Sequence, residues 1–184
     1  MSNRSKCGCL PCYQCRKSCA SEFLGTLAPV VAGAGTVAFA SLVELPQSLL
    51  LIALSFGLTV GALGLVLGGV SGAHVNPALS VANVFVGRLR TGLLVPFAFF
   101  QVLGALTAGA ILRLVFPAPS ASTFLGSTLL APSITSSVAV LLESAGTFLL
   151  SGVILNVSSS KFGGGGRRLW SGSLYSYSSS SSGL

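Results

Sequence analysis

From Leu45 to Gly87 the chain contains no Asp, Glu, Lys or Arg. An uncharged stretch of that length cannot coat the surface of a soluble helix or strand, and it is long enough to cross a bilayer twice at ~20 residues per crossing. The pattern continues downstream, with no charge between Arg90 and Arg113 and none between Arg113 and Glu143. Charged residues make up 7% of the 184-residue chain, against the roughly 25% of a soluble domain, and mean hydropathy is +0.87. The net charge of +7 sits at the ends of apolar runs. It marks where spans stop rather than a phosphate-binding face, so the expected partner is the lipid bilayer and not nucleic acid.

The gaps predict four spans, at about 20–42, 48–70, 93–115 and 137–157. All are expected to be helices, because backbone in lipid must satisfy its own hydrogen bonds and the runs lack the alternation of a barrel strand. Pro29 is expected to kink the first span. Of the ten Lys and Arg, all but Arg113 fall on the side that holds the N-terminus, the 71–92 connection and the C-terminus. The positive-inside rule makes that side cytoplasmic. The expectation is therefore an integral, multi-pass protein, in the plasma membrane, with both termini in the cytoplasm. The first 19 residues lack the apolar core of a cleavable signal peptide.

Between the second and third spans stands Ser71-Gly72-Ala73-His74-Val75-Asn76-Pro77-Ala78. Asn76 is a preferred helix N-cap and Pro77 is pre-set for the first helical position, so a short helix is expected over about 76–86. A half-helix that starts at membrane depth aims the positive end of its dipole at whatever occupies that depth. Gly57, Gly61, Gly64 and Gly68 in the second span, and Gly104 and Ala108 in the third, predict close helix crossings. Glu22, Gly25 and Thr26 recur in register as Glu143, Gly146 and Thr147, and with three spans between the copies the second must be inverted. An inverted repeat of spans plus a half-helix is a transport architecture.

With these residues in view, the chain resembles the aquaporin (major intrinsic protein) family over residues of about 19–157. The octet is similar to the family's first Asn-Pro-Ala loop, Ala20 to Thr26 to the start of its first helix, Ala53 to Leu58 to its second, and Gln101 to Ala105 to its third. The resemblance implies an all-α membrane protein: an aquaporin-like helical bundle, incomplete, with four transmembrane helices and one re-entrant half-helix. It implies passive conduction of water or a small neutral solute. Asn76, Pro77 and Ala78 would form the pore motif and Gly72, Ala73, His74 and Val75 the pore-lining loop. Phe56 would supply a constriction, and Glu22, Glu143 and Gln101 would support the loops. Family tetramers, of like or mixed aquaporin subunits, are the expected partners.

A departure accompanies the resemblance. The repeat offset would put a second Asn-Pro-Ala motif beyond Leu184, and residues 158–184 hold 11 Ser and 6 Gly in 27 positions, a low-complexity tail expected to be disordered. The sequence therefore suggests a truncated form that conducts little or nothing alone. The alternatives are a non-conducting partner that regulates full-length channels and a four-span scaffold. No cofactor is expected. The single His and the absence of Asp close off multi-histidine metal sites and Ser-His-Asp catalysis, so an enzyme is not expected. Residues 1–19 form a basic head with five cysteines. Among these, Cys12, Cys15 and Cys19 beside Arg16 and Lys17 suit S-palmitoylation better than zinc or disulfides.

Overall fold

The computed structural model describes residues 13–45, 48–116 and 124–159. Helix α1 (Tyr13–Pro29) passes through a wide π-turn (Val30–Ala34) into α2 (Gly35–Leu42). There follow α3 (Ser48–Leu67), the short α4 (Pro77–Phe85), the long α5 (Thr91–Val115), a 3-10 turn (Phe124–Gly126) and α6 (Ser136–Ser159). Four helical segments among the described residues are long and apolar enough to cross a membrane: Cys15–Leu42, Ser48–Leu67, Thr91–Val115 and Ser136–Asn156. Together with the family assignment below, they make this an integral, multi-pass membrane protein.

The first span keeps its direction but loses its regularity at the expected place. Pro29 has no N–H to give to the turn before it, and its ring crowds the carbonyl four residues back, so the helix widens to a π-turn immediately afterwards. This span starts earlier than expected. Cys15 and Cys19, one turn apart, pack with Leu89, Leu93 and Phe97, and burial of that face continues the helix back to Tyr13. The residues just before position 20 are thus part of the bundle, not of a separate head. The second span stops at Leu67 rather than 70, where Gly68 to Gly72 turn the chain back through hydrogen bonds to the carbonyls of Gly64, Leu67 and Gly68.

The core lies between α1 and α5. Gly104 is the point of closest approach: a Cβ there would collide with the backbone carbonyl of Phe23. Ala108, one turn further, is fully buried. Small residues let these two backbones touch, which is how helices associate where lipid is as apolar as their side chains. The glycines of α3 do otherwise, because Gly57 and Gly61 look out onto open space. No residue of α3 is buried, and none of Ser136–Asn156 in α6. Gly57 and Gly61, the first half of the stripe read from the second span, therefore make no close crossing, whereas Gly104 and Ala108 on α5 do.

Candidate functional site

The site is built on α4, which at nine residues is too short to cross the hydrocarbon. Asn76 sits in extended backbone (φ −152°, ψ 129°), and its side-chain oxygen accepts from the Ala78 N–H at 2.8 Å, with Pro77 opening the helix. Among the described residues no hydrogen bond engages the Asn76 Nδ2, which is left to donate elsewhere. The far end of α4 closes at Gly87 (φ 73°), where the N–H groups of Arg88 and Leu89 return to the Asn83 carbonyl. Asn76 is half-buried, and Pro77 and Ala78 are exposed. An apolar groove of about 420 Å³ runs beside Pro77, walled by Val81 of α4 and by Leu94, Ala98 and Val102 of α5.

The loop that delivers Asn76 is irregular, with positive φ at Gly72 (92°), Ala73 (49°) and Val75 (46°). For a β-branched residue such as Val75 that region is strained and must be held from outside. Glu22, fully buried on α1, does the holding. Its Oε1 accepts from Ser71 Oγ at 2.5 Å and the His74 N–H at 3.1 Å, and its Oε2 from the Val75 N–H at 2.7 Å and Gln101 Nε2 at 2.7 Å. Thr26, a turn along, donates to the Val75 carbonyl at 3.3 Å. Val75 also lies against Gly25, where any side chain would displace it. One carboxylate thus gathers the loop, α1 and α5 around a single point.

Gln101 extends the network to α4 by donating from Nε2 to Ser80 Oγ at 3.0 Å, and Ser80 in turn lies 3.3 Å from His74 Nδ1. Among the described residues Gln101 Oε1 is buried with no hydrogen-bond partner. The His74 ring is buried edge-on against Phe97, with centroids 5.6 Å apart. The imidazole lies in the connection between spans. Burial there holds its pKa below the ordinary 6.5, with the charge of Glu22 pulling the other way.

The other expected site residues lie on separate elements. The His74 ring turns into the protein and packs on Phe97 and beside Gly72. The Phe56 ring lies across Gly33 of the π-turn, whose missing side chain makes room for it. Glu143 is exposed on α6 with no loop beside it among the described residues, so nothing there gives it the role Glu22 has. Cys19 is 3% exposed and packs in the apolar cluster with Leu89, Leu93 and Phe97. Cys15 is partly buried beside it, and Cys12 lies outside the described residues. Ser71, Ser80 and Thr26 belong to the network; in the sequence Ser71 stood only as part of the octet and Thr26 only as part of the repeat, and Ser80 was not singled out. Their signal was a hydroxyl at apolar depth, which alone is too common to select them.

A bundle of membrane-crossing helices that folds a capped half-helix back among them is the framework of a channel protein. The chain belongs to the major intrinsic protein family, whose model matches residues 11–169. This is a family of channels, not enzymes. The chain is 43% identical over 96 residues to Aquaporin Z of Brucella melitensis, covering 52% of this chain and 42% of that protein. It is 36% identical over 144 residues to Glycerol uptake facilitator protein-like 6 of Lactiplantibacillus plantarum, covering 78% of this chain and 64% of the relative. With Aquaporin-4 of Mus musculus it shares 36% identity over 136 residues, 73% of this chain and 42% of the other. The chain therefore spans about 42% to 64% of the length of these relatives.

Proposed function

We propose that the chain is a subunit of a membrane channel for passive movement of water or a small neutral solute, with the N-terminal end of α4 as the point that orients the permeant. The observation that carries this reading is the division of labour at Asn76. Its oxygen caps its own helix while its Nδ2 stays unengaged, so an N–H donor and the positive end of a helix dipole face the same place. A neutral molecule with a lone pair is attracted and turned there. A cation is repelled, the kind of barrier that also opposes proton passage. Glu22, with Gln101 and Ser80, has the role of fixing the loop, and the carbonyls from Gly72 to Val75 that of lining the path. In this reading the face on which α1 and α5 begin is cytoplasmic and the membrane is the plasma membrane.

Among the described residues Asn76 is half-buried and Pro77 and Ala78 are exposed, so these residues alone are expected to conduct weakly. A second reading, a non-conducting subunit that assembles with complete channels, is favoured by the unburied lengths of α3 and α6. Stopped-flow water permeability of proteoliposomes tests both, with the chain alone and then co-reconstituted with a complete family member. Flux that appears in either preparation and falls on Asn76→Ala supports the channel reading. Suppression of the complete channel's flux by added chain supports the second, and no effect in either preparation refutes both.

A further inference from the structure

The end of the bundle at which α1 and α5 both begin carries cations that the site above does not use. Because Cys15 and Cys19 of α1 pack with Leu89 and Leu93, the first turns of α1 are held beside the turn that joins α4 to α5. Leu89 is the inward residue of that turn, and its neighbours Arg88 and Arg90 are exposed. On α1 the two residues after Cys15, Arg16 and Lys17, are exposed as well. The two segments that meet at this apolar cluster thus carry two exposed cations each, with Lys17 on the outer face of α1 over Tyr13. The three acidic residues of the chain lie elsewhere: Glu22 is buried in the loop network, Glu44 follows α2 at the other end of the first span, and Glu143 is on α6.

The depth of this patch is marked by Tyr13, which is 70% exposed in the first turn of α1 with the Lys17 ammonium 4.4 Å from its ring centroid. An exposed Tyr at the start of a span, topped by a cation, sits at headgroup level. Arg88 gives one N–H to the Leu155 carbonyl of α6 at 2.9 Å. Arg90 opens α5 and adds its charge to the positive end of that helix, with no side chain capping it. We infer that Arg16 and Arg90, with Arg88 and Lys17 beside them, form a basic surface that holds the phosphates of anionic phospholipid headgroups. The inference holds whichever solute the channel carries.

The full chain, reconstituted in vesicles of phosphatidylcholine and phosphatidylserine and then extracted, reports the surface by the ratio of the two lipids it retains in native mass spectrometry. Wild-type chain is expected to be enriched in phosphatidylserine. Each cation near a membrane surface contributes about fivefold to such a preference, the equivalent of ~1 kcal/mol, so the combined Arg16→Gln, Lys17→Gln and Arg90→Gln variant should lose more than about tenfold. Arg113→Gln, at the far end of α5, should leave the ratio unchanged. All the changed side chains are exposed, and Arg90→Gln alone gives a smaller shift in the same direction should the combined variant lose helicity. Unchanged enrichment in the combined and single variants overturns the inference, as does an equal loss in Arg113→Gln. Displacement of the lipid by millimolar glycerophosphate also overturns it, since that marks a site for free phosphate.

Discussion

Replacing Glu22 with Gln tests whether one side chain holds the re-entrant loop. The carboxylate accepts four hydrogen bonds, from Ser71, His74, Val75 and Gln101. An amide keeps one oxygen and turns the other acceptor into a donor. Left at the Oε1 position, the oxygen still serves Ser71 and the His74 N–H. The new NH₂ then faces the Val75 N–H and Gln101. Gln101 can adapt by turning its own amide over, because its Oε1 has no partner among the described residues to lose. Val75 cannot adapt, since its backbone is pinned at φ 46°. One buried N–H without a partner costs about 1–3 kcal/mol, and each altered polar contact between membrane helices adds ~0.6 kcal/mol. A total of about 2–3 kcal/mol would fall on the opening of residues 71–76, not on the helices. Hydrogen–deuterium exchange in nanodiscs should then show the His74 and Val75 amides exchanging roughly 30 to 150 times faster, with α3 unchanged. Exchange at the wild-type rate would refute the claim that Glu22 restrains the loop. Glu22→Ala, which strands all four donors, should exceed Glu22→Gln.

Gly104→Ala should destabilise the chain by about 1–3 kcal/mol because the added carbon meets the Phe23 carbonyl, whereas Gly109→Ala faces open space and should stabilise by up to ~1 kcal/mol through helix propensity; thermal unfolding in detergent followed by circular dichroism separates them. Asn76→Ala should cost about 0.5–2 kcal/mol by removing the α4 cap, read in the same melts. His74 is kept neutral by burial, with its pKa below the ordinary value. The unfolded chain therefore takes up its proton first as pH falls through about 6.5, so stability is lost on acidification below that pH and is flat above it. His74→Gln should abolish that part of the pH dependence of the melting temperature.

The spans and the half-helix were legible because each rests on a property that single residues carry. Charge is absent where lipid is present, Asn76-Pro77 states a helix start, and Pro29 states a defect. Helix partners were less legible. Gly57 with Gly61 and Gly104 with Ala108 have the same spacing, yet only the second pair meets a neighbour, because spacing tells which residues share a stripe and not what lies opposite. The Glu22 network was half visible. An acid two residues into a span must find partners, but its donors come largely from loop backbone, which leaves no trace in residue identity. Glu143 shows the converse, since it repeats the letters of Glu22 while no loop packs beside it among the described residues.

The π-turn also sets how the first span responds to changes in length. Among the buried positions of the first span, 18, 22, 25, 29 and 33 advance by three or four, as a regular helix requires, and the next one after Gly33, Ala38, comes five later. The wide turn absorbs that surplus residue. Removing one residue from Val30–Ala34 would restore an ordinary step of four and leave the same faces inward on both sides. A similar deletion within α5, which has no such slack, would swing every residue beyond it by about 100°. Of these two spans, the one carrying the irregularity is the one able to shed a residue and stay in phase.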